Sequence, residues 1–383
     1  MMGWVTGRRK LLALGAVVLL AGCKVIPDSG QPGTTPRPDQ GPSDALPDDE
    51  GRHRIALLVP TTGTNAAVGE AIANATTMAL LDTNASSLRI TTYDTATGAE
   101  SAAARAMQDG NKLVLGPLLG SDVAGVISQA RRQDVPMITY SNDISVAQRD
   151  VFVMGHIPDQ SIARTVAYAA NQGHRRFAAL IPNGEYGDRV IAAFRTAVGD
   201  SGGGVVALQR YDRGNTSIVS AAQRLAATGP FDAVLIAEGA RLSQMAAAEI
   251  RKTNRDAQIL GTELWSGESG IAGNAALRGA LFSSVSDARF GRFVESYRSR
   301  FGNQPHRIAT LGYDSVLLTL RIARDLRPGR DFPISQVADP GGFVGIDGPF
   351  RFRRNGVGER AMEVRQVGNG TVAVVDPAPT QFD

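Results

Sequence analysis

Between Leu113 and Asn142 the chain reads LVLGPLLGSDVAGVISQARRQDVPMITYSN, and the spacing within it leaves few folds open. The apolar run Leu113 to Leu115 stops at Gly116-Pro117, Val123, Val126, Ile127 and Ala130 recur at helical spacing, and Val135 to Thr139 is apolar again. That order is strand, turn, helix, strand. Two strands joined by such a helix lie parallel with a right-handed crossover. Both strand ends, Gly116 to Ser121 and Tyr140 to Asp143, then lie along one edge of the sheet, the edge where open α/β sheets hold ligands.

The same unit recurs in both directions. Before it come strand Ile55 to Val59, a helix carrying Val68, Ile72, Ala75 and Ala79, strand Leu88 to Tyr93 and a helix over about Ala99 to Gln108. After the short strand Val151 to Met154, Gly155-His156-Ile157-Pro158 offers a crossing, and the alternation restarts. It runs through strands Phe177 to Ile181, Val205 to Arg210, Ala233 to Ala237, Gln258 to Gly261 and Ala280 to Ser284. A helix with an aromatic stripe (Phe290, Phe293, Val294, Tyr297, Phe301) and a long one over Ile308 to Leu326 follow. The end, Phe343 to Val375, is β-rich and broken by glycines. Two successive alternating sets predict an α/β protein of two doubly wound lobes joined by several crossings, with a cleft between them as the default binding site. We expect lobe 1 over about 52–156 and 286–327, and lobe 2 over about 157–285 and 328–376. A chain of 383 residues, 43% hydrophobic, is long enough to give both lobes a core.

The start of the chain is of another kind. Arg8-Arg9-Lys10 precedes the apolar stretch Leu11 to Leu20, too short to span a bilayer, which reads as an export signal. Leu20-Ala21-Gly22-Cys23 resembles the bacterial lipobox, which implies a signal peptide over 1–22 and lipidation of Cys23; the lysine that follows favours the outer membrane. Six of the 19 prolines fall between Pro27 and Pro47, so 23–50 is expected to be an extended tether rather than a packed domain. At ~3 Å per residue in polyproline conformation it would reach roughly 75 Å.

Charge narrows the partners. Setting aside Arg8, Arg9 and Lys10 leaves 37 basic residues against 37 acidic ones, which gives no electrostatic reason to expect nucleic acid, or a membrane beyond the lipid anchor. Cys23 is the single cysteine, and His53, His156, His174 and His306 show no ligand spacing, so neither disulfide nor metal is expected. No G-x-S-x-G, P-loop or strand-borne G-x-G-x-x-G is present; no cofactor is implied, and nothing singles out a pair of carboxylates for hydrolysis.

Ile55 to Gly63, Leu115 to Leu118, Val135 to Ile138, Tyr186-Gly187, Leu260 to Glu263, Tyr313-Asp314 and Gly345 to Phe352, in that order, resemble the leucine/isoleucine/valine-binding branch of type 1 periplasmic binding proteins. The resemblance implies a ligand cleft reached by Thr61, Thr62, Ser121, Ser141, Asp143, Tyr186 and Glu263. In that family the turns after Gly116 and after Ile138 hold an amino acid's carboxylate, Tyr186 matches the second-lobe tyrosine and Glu263 the ammonium-binding carboxylate. From the residues alone, Tyr186 is equally a structural tyrosine at a helix start and Glu263 a solvated glutamate at a strand end. Asp143 departs from the pattern, because a negative charge there opposes a ligand carboxylate. Lipobox, tether, fold and altered site together resemble the penicillin-binding-protein activator lipoproteins. That implies a non-enzymatic, periplasmic, outer-membrane-anchored protein whose partner is a peptidoglycan synthase. The alternative is a lipoprotein receptor that delivers an amino acid or other small polar ligand to an ABC-type uptake system.

Overall fold

The computed structural model describes residues 51–382 apart from Asn215; the expected signal segment, Cys23 and the tether lie outside the described residues. The first sheet is built from β1 (His53–Val59), β2 (Leu88–Asp94), β3 (Val114–Leu115), β4 (Met137–Thr139) and β5 (Val151–Val153), in the order β2-β1-β3-β4-β5 and all parallel. Helices α1 (Ala66–Asp82), α2 (Ala99–Gln108) and α3 (Gly120–Ala130) make its crossovers.

Strand β1 shows why a continuous apolar run was needed. Ile55, Leu57 and Val59 point into one core with Ile72 of α1, while Ala56 and Leu58 point into another with Ala102, Ala103 and Ala106 of α2 and Val126 of α3. A strand covered on both faces has no solvated side on which to place polar residues.

The second sheet repeats the scheme. Helix α4 (Pro158–Asn171) leads into β6 (Arg176–Pro182), α5 (Glu185–Asp200), β7 (Gly204–Tyr211), α6 (Ser217–Ala226), β8 (Ala233–Ile236), α7 (Ala240–Thr253), β9 (Gln258–Leu260) and β10 (Leu281–Ser284). Ala178 and Leu180 of β6 face one core, and Phe177, Ala179 and Ile181 the other.

The chain then returns to the first lobe. In α8 (Phe290–Phe301) the aromatic stripe is core: Phe293 and Tyr297 pack on Ala71, Ala75 and Met78 of α1. Helix α9 (Thr310–Ala323) places Leu311, Val316 and Ile322 against the β1 core. After α10 (Ile334–Val337), a three-stranded antiparallel sheet forms from β11 (Phe343–Gly345), β12 (Gly348–Phe352) and β13 (Gly358–Arg360). Here the expected division is corrected: Phe332, Val337, Phe343, Phe350 and Phe352 share the core of Ile55 and Leu57, so about 328–360 belongs to the first lobe. The second lobe regains the chain at β14 (Glu363–Val367) and β15 (Val372–Asp376), which extend its sheet antiparallel beyond β10 to give the order β15-β14-β10-β9-β8-β6-β7. The apolar alternation of 343–375 predicted strands but carried no signal of which sheet would accept them.

Three segments thus cross between the lobes: 154–157, 285–289 and 361–362. Among the described residues no helix is long and apolar enough to span a membrane.

Candidate interlobe site

The site begins where β3 turns into α3. Gly116 has φ of +104°, and a Cβ there would lie 2.1 Å from the Leu58 carbonyl oxygen, so the turn requires glycine to leave β3 beside β1. The side chain of Asp143, from the turn after β4, packs over the first residue of α3: a Cβ built on Gly120 would sit 3.3 Å from Asp143 Cβ and 3.5 Å from its Oδ2. Ser141 Oγ accepts from the Asp143 amide at 3.1 Å, and Asp143 Oδ1 accepts from the Ser145 amide at 2.9 Å and hydroxyl at 2.7 Å. A carboxylate beside a helix N-terminus is favourably placed against the helix dipole.

From the other lobe, Arg189 of α5 reaches across. Its Nη1 lies 3.5 Å from Asp143 Oδ2 and its Nη2 donates to Asn142 Oδ1 at 3.3 Å. One turn earlier on the same helix, Tyr186 donates to Glu263 Oε1 at 3.1 Å, pairs with Thr262 Oγ1 at 3.2 Å and lies under the Arg213 guanidinium at 4.9 Å. Burial pushes the Tyr186 hydroxyl well above its ordinary range, and the Glu263 charge adds to this.

Glu263 is the group least provided for. Its Oε2 is buried without a hydrogen-bond partner, as is Oδ2 of Asp159 in the first turn of α4. Burial pushes the Glu263 carboxyl up to about 7, against hydrogen bonds from its own amide and Tyr186, with Asp159 raising it further. Burial also raises Asp159, opposed in part by Arg189. A cavity of about 460 Å³ opens beside Glu263, between Leu118, Leu119, Asn142 and Ile308 of the first lobe and Leu264 of the second. That volume is in the range of small-molecule sites.

Among the residues expected from the sequence, Ser141, Asp143, Tyr186 and Glu263 are gathered at the lobe boundary. Ser121 lies exposed in the first turn of α3. Thr61 and Thr62 close the turn after β1 on Asp94: the Thr61 amide donates to Oδ1 at 2.8 Å and the Thr62 hydroxyl to Oδ2 at 2.6 Å. These bonds, the Thr62 hydroxyl foremost, hold the Asp94 carboxyl down at about 2.

Sequence reasoning missed Arg189, Asp159 and a buried ionic cluster at the crossings. Arg189 follows Tyr186 by three residues, on the same helix face, which is the signal that could have found it. At the cluster's centre Asp347, fully buried, accepts from His156 Nε2 at 2.7 Å, Arg307 Nη1 at 2.6 Å and Thr310 Oγ1 at 3.0 Å, with Arg360 Nη1 at 3.7 Å. Burial opposes ionisation of Asp347, but Arg307, His156 and Arg360 outweigh it and hold the carboxyl far below its ordinary range. Burial lowers His156 despite that neighbour. Asp314, also fully buried, accepts from the Ile346 amide at 2.6 Å, and burial together with the Asp347 charge raises it. His156 and Arg360 flank two of the crossings. At the remaining crossing, 285–289, Asp287 pairs with Arg365 of the second lobe and lies 3.6 Å from Arg307 of the first.

Two α/β lobes built on mainly parallel sheets, three crossings and a ligand-sized gap between strand ends define the architecture on which the comparisons bear. The model of a family described as periplasmic binding protein matches residues 53–371. The chain belongs to the periplasmic binding protein family. An uncharacterised protein of Rickettsia prowazekii is 31% identical over 141 residues, covering 36% of this chain and 37% of that protein. Among solved structures, the branched-chain amino acid substrate-binding protein LivJ of Streptococcus pneumoniae, in complex with isoleucine, is 20% identical, with a TM-score of 0.65 over 86% of this chain and 100% of its own. An ABC-transporter solute-binding protein of R. palustris in complex with benzoate is 19% identical, with a TM-score of 0.65 over 86% and 98%. At these identities the solved structures establish the type 1 periplasmic-binding-protein fold. The family is periplasmic and consists of binding proteins rather than enzymes.

Proposed function

We propose that this protein is a lipid-anchored periplasmic component that supports peptidoglycan synthesis by touching a synthase of the penicillin-binding-protein class, rather than by carrying amino acids. The observation that carries this is the Asp143–Arg189 bridge. Isoleucine and benzoate, the ligands of two structural relatives, each bear a carboxylate. Here the helix start that would receive such a group is covered by the protein's own carboxylate, which is already paired across the cleft. A second carboxylate brought there meets a like charge in a partly dehydrated site. A cleft bridged by its own side chains at the end that would take a carboxylate suits a protein that presents a surface. The lipobox and the proline-rich segment supply the anchor, placed at the outer membrane, and the reach.

The test is a crosslinked pull-down from native membranes with residues 51–383 as bait, read by mass spectrometry. We expect a bifunctional peptidoglycan synthase in the eluate, and Asp143→Ala to leave its stimulation unchanged. Recovery of transport permeases alone would reject this reading.

A second reading, a receptor for a small polar ligand of an uptake system, is favoured by one observation. The 460 Å³ cavity retains an unpartnered carboxylate oxygen on Glu263.

A further inference from the structure

The near balance of acidic and basic residues along the chain is not kept in space. Strands β1 to β5 are parallel, so the loops that precede them gather at one end of the first lobe, the end opposite the cleft. Arg132, before β4, and Arg149, before β5, are exposed there, as is Arg354 in the turn between β12 and β13. That turn is held beside β5: the Val153 amide donates to the Gly356 carbonyl at 2.8 Å, and a Cβ on Gly356 would lie 2.2 Å from the Gln148 carbonyl oxygen. The loop after α9 adds Arg327 and Arg330, kept at this end by the bridge from Lys112 to Asp331 at 2.9 Å. None of these guanidiniums has a carboxylate partner among the described residues.

The carboxylates at this end are mostly spent. Asp150 takes two bonds from Arg131 at 2.6 Å, Asp339 pairs with Arg321 at 2.9 Å, and Glu359 is shared by Arg351 at 2.8 Å and Arg353 at 3.1 Å, while Asp134 stays exposed and unpaired. Helix C-termini favour cations, which accounts for Arg132 just after α3. It does not account for Arg149, Arg330 or Arg354, which stand in loops. Arg149, Arg351, Arg353 and Arg354, with no carboxylate among them, line a groove of about 590 Å³ whose apolar wall includes Ile334 and Phe352. An arginine rim over an apolar wall suits an amphiphile with an anionic head.

From these facts we infer that this pole of the first lobe is an interaction surface for the phosphate headgroups of an anionic lipid bilayer. Guanidinium groups hold phosphate oxygens in pairs and stay charged at every physiological pH. The apolar wall below the rim receives the glycerol and first methylenes of a lipid. Residues 1–50 join the lobe at Gly51, where β1 begins on this same face, so a bilayer that holds the start of the chain is met by these arginines. The choice of a bilayer over an acidic polypeptide rests on the anchored reading. The test uses an unlipidated chain, so that the two can fail separately.

The experiment is co-sedimentation of the full chain carrying Cys23→Ser with vesicles of phosphatidylcholine, alone or with one-third phosphatidylglycerol, at about 0.1 M salt. The apolar leader is present in every sample and cancels in the ratio of the two partition coefficients. An arginine at an anionic surface strengthens binding about fivefold, so Arg132, Arg149 and Arg354 together should bring the anionic-to-neutral ratio to about a hundred or more. Changing all three to glutamine should lower the ratio about a hundredfold and leave the Tm unchanged, since none is paired. Changing them to lysine should keep most of it, and about 1 M salt, with a Debye length of about 3 Å, should abolish it. Arg195→Gln, Arg241→Gln and Arg255→Gln together remove the same charge from exposed residues of the second lobe and should change the ratio less than about threefold. A ratio near one for the chain without arginine substitutions overturns the proposal; if that chain then binds poly-L-glutamate, the face belongs to an acidic polypeptide instead. An equal loss from the second-lobe set overturns it too, as does a ratio that survives the first set.

Discussion

Replacing Asp347 by Asn removes one charge from a site that no water reaches and leaves the shape nearly unchanged. Asp347 is fully buried, and its partners are hardly more accessible: the Arg360 side chain is 3% exposed, Arg307 13% and the His156 imidazole 15%. Leaving buried arginines without their counter-ion costs about 3–5 kcal/mol, because the desolvation already incurred is no longer offset. A folded part of roughly 330 residues has an unfolding entropy of about 0.7 kcal/mol per degree, so the substitution should lower the Tm by about 4–7 °C. Since Asp347 binds a residue of the first crossing and neighbours the third, the loss should also loosen the lobes. Differential scanning calorimetry gives the Tm, and hydrogen exchange at 154–157 and 361–362 gives the local effect. A Tm change below about 1 °C, or faster exchange confined to regions away from the crossings, would refute the claim that this cluster holds the lobes together.

The bridge across the cleft should behave differently. Asp143 and Arg189 are each about one-fifth exposed at a separation of 3.5 Å, so Asp143→Ala should cost under about 1 kcal/mol of stability while raising the open population up to about fivefold; unchanged interlobe distances between spin labels would refute a role for the bridge in holding the lobes together. Glu263, held at about 7 against an ordinary 4.5, keeps a proton in the folded state that the unfolded chain loses. Its contribution to stability is present below 4.5 and lost as pH rises through 7, so the Tm of Glu263→Gln minus that of wild type should grow between pH 5 and pH 8, and a flat difference would contradict the assignment. If Cys23 carries the lipid anchor, Cys23→Ser should move the protein from the membrane pellet to the soluble fraction; retention in the pellet would count against lipidation.

The alternation from Ile55 to Ser284 was legible because the strands inside each sheet are buried on two faces, the edge strands β2 and β7 less so, and the helices on one, and those demands write distinct periods into the chain. The gathering of Ser141, Asp143, Tyr186 and Glu263 followed from the resemblance, and the parallel sheets put them at strand ends facing one gap. Other features left no period. The hairpin of β11 and β12 reads the same whether it serves the first sheet or the second; contact of Phe343, Phe350 and Phe352 with the core of Ile55 decided its place. Asp347 stands in a glycine-flanked turn that looks like any surface loop, and its partners lie 191, 40 and 37 residues away. The pairing of Asp143 with Arg189 likewise joins residues of different lobes.

By itself, then, the sequence determined two α/β lobes, the edge at which a site could form and a start of different composition, because burial periodicity and composition are local properties of the chain. Only the tertiary structure decided which lobe owns the late sheet, which charges are spent on one another and which carboxylate oxygen is left unpaired. Those outcomes depend on distances between segments far apart in the chain, and residue spacing does not encode such distances.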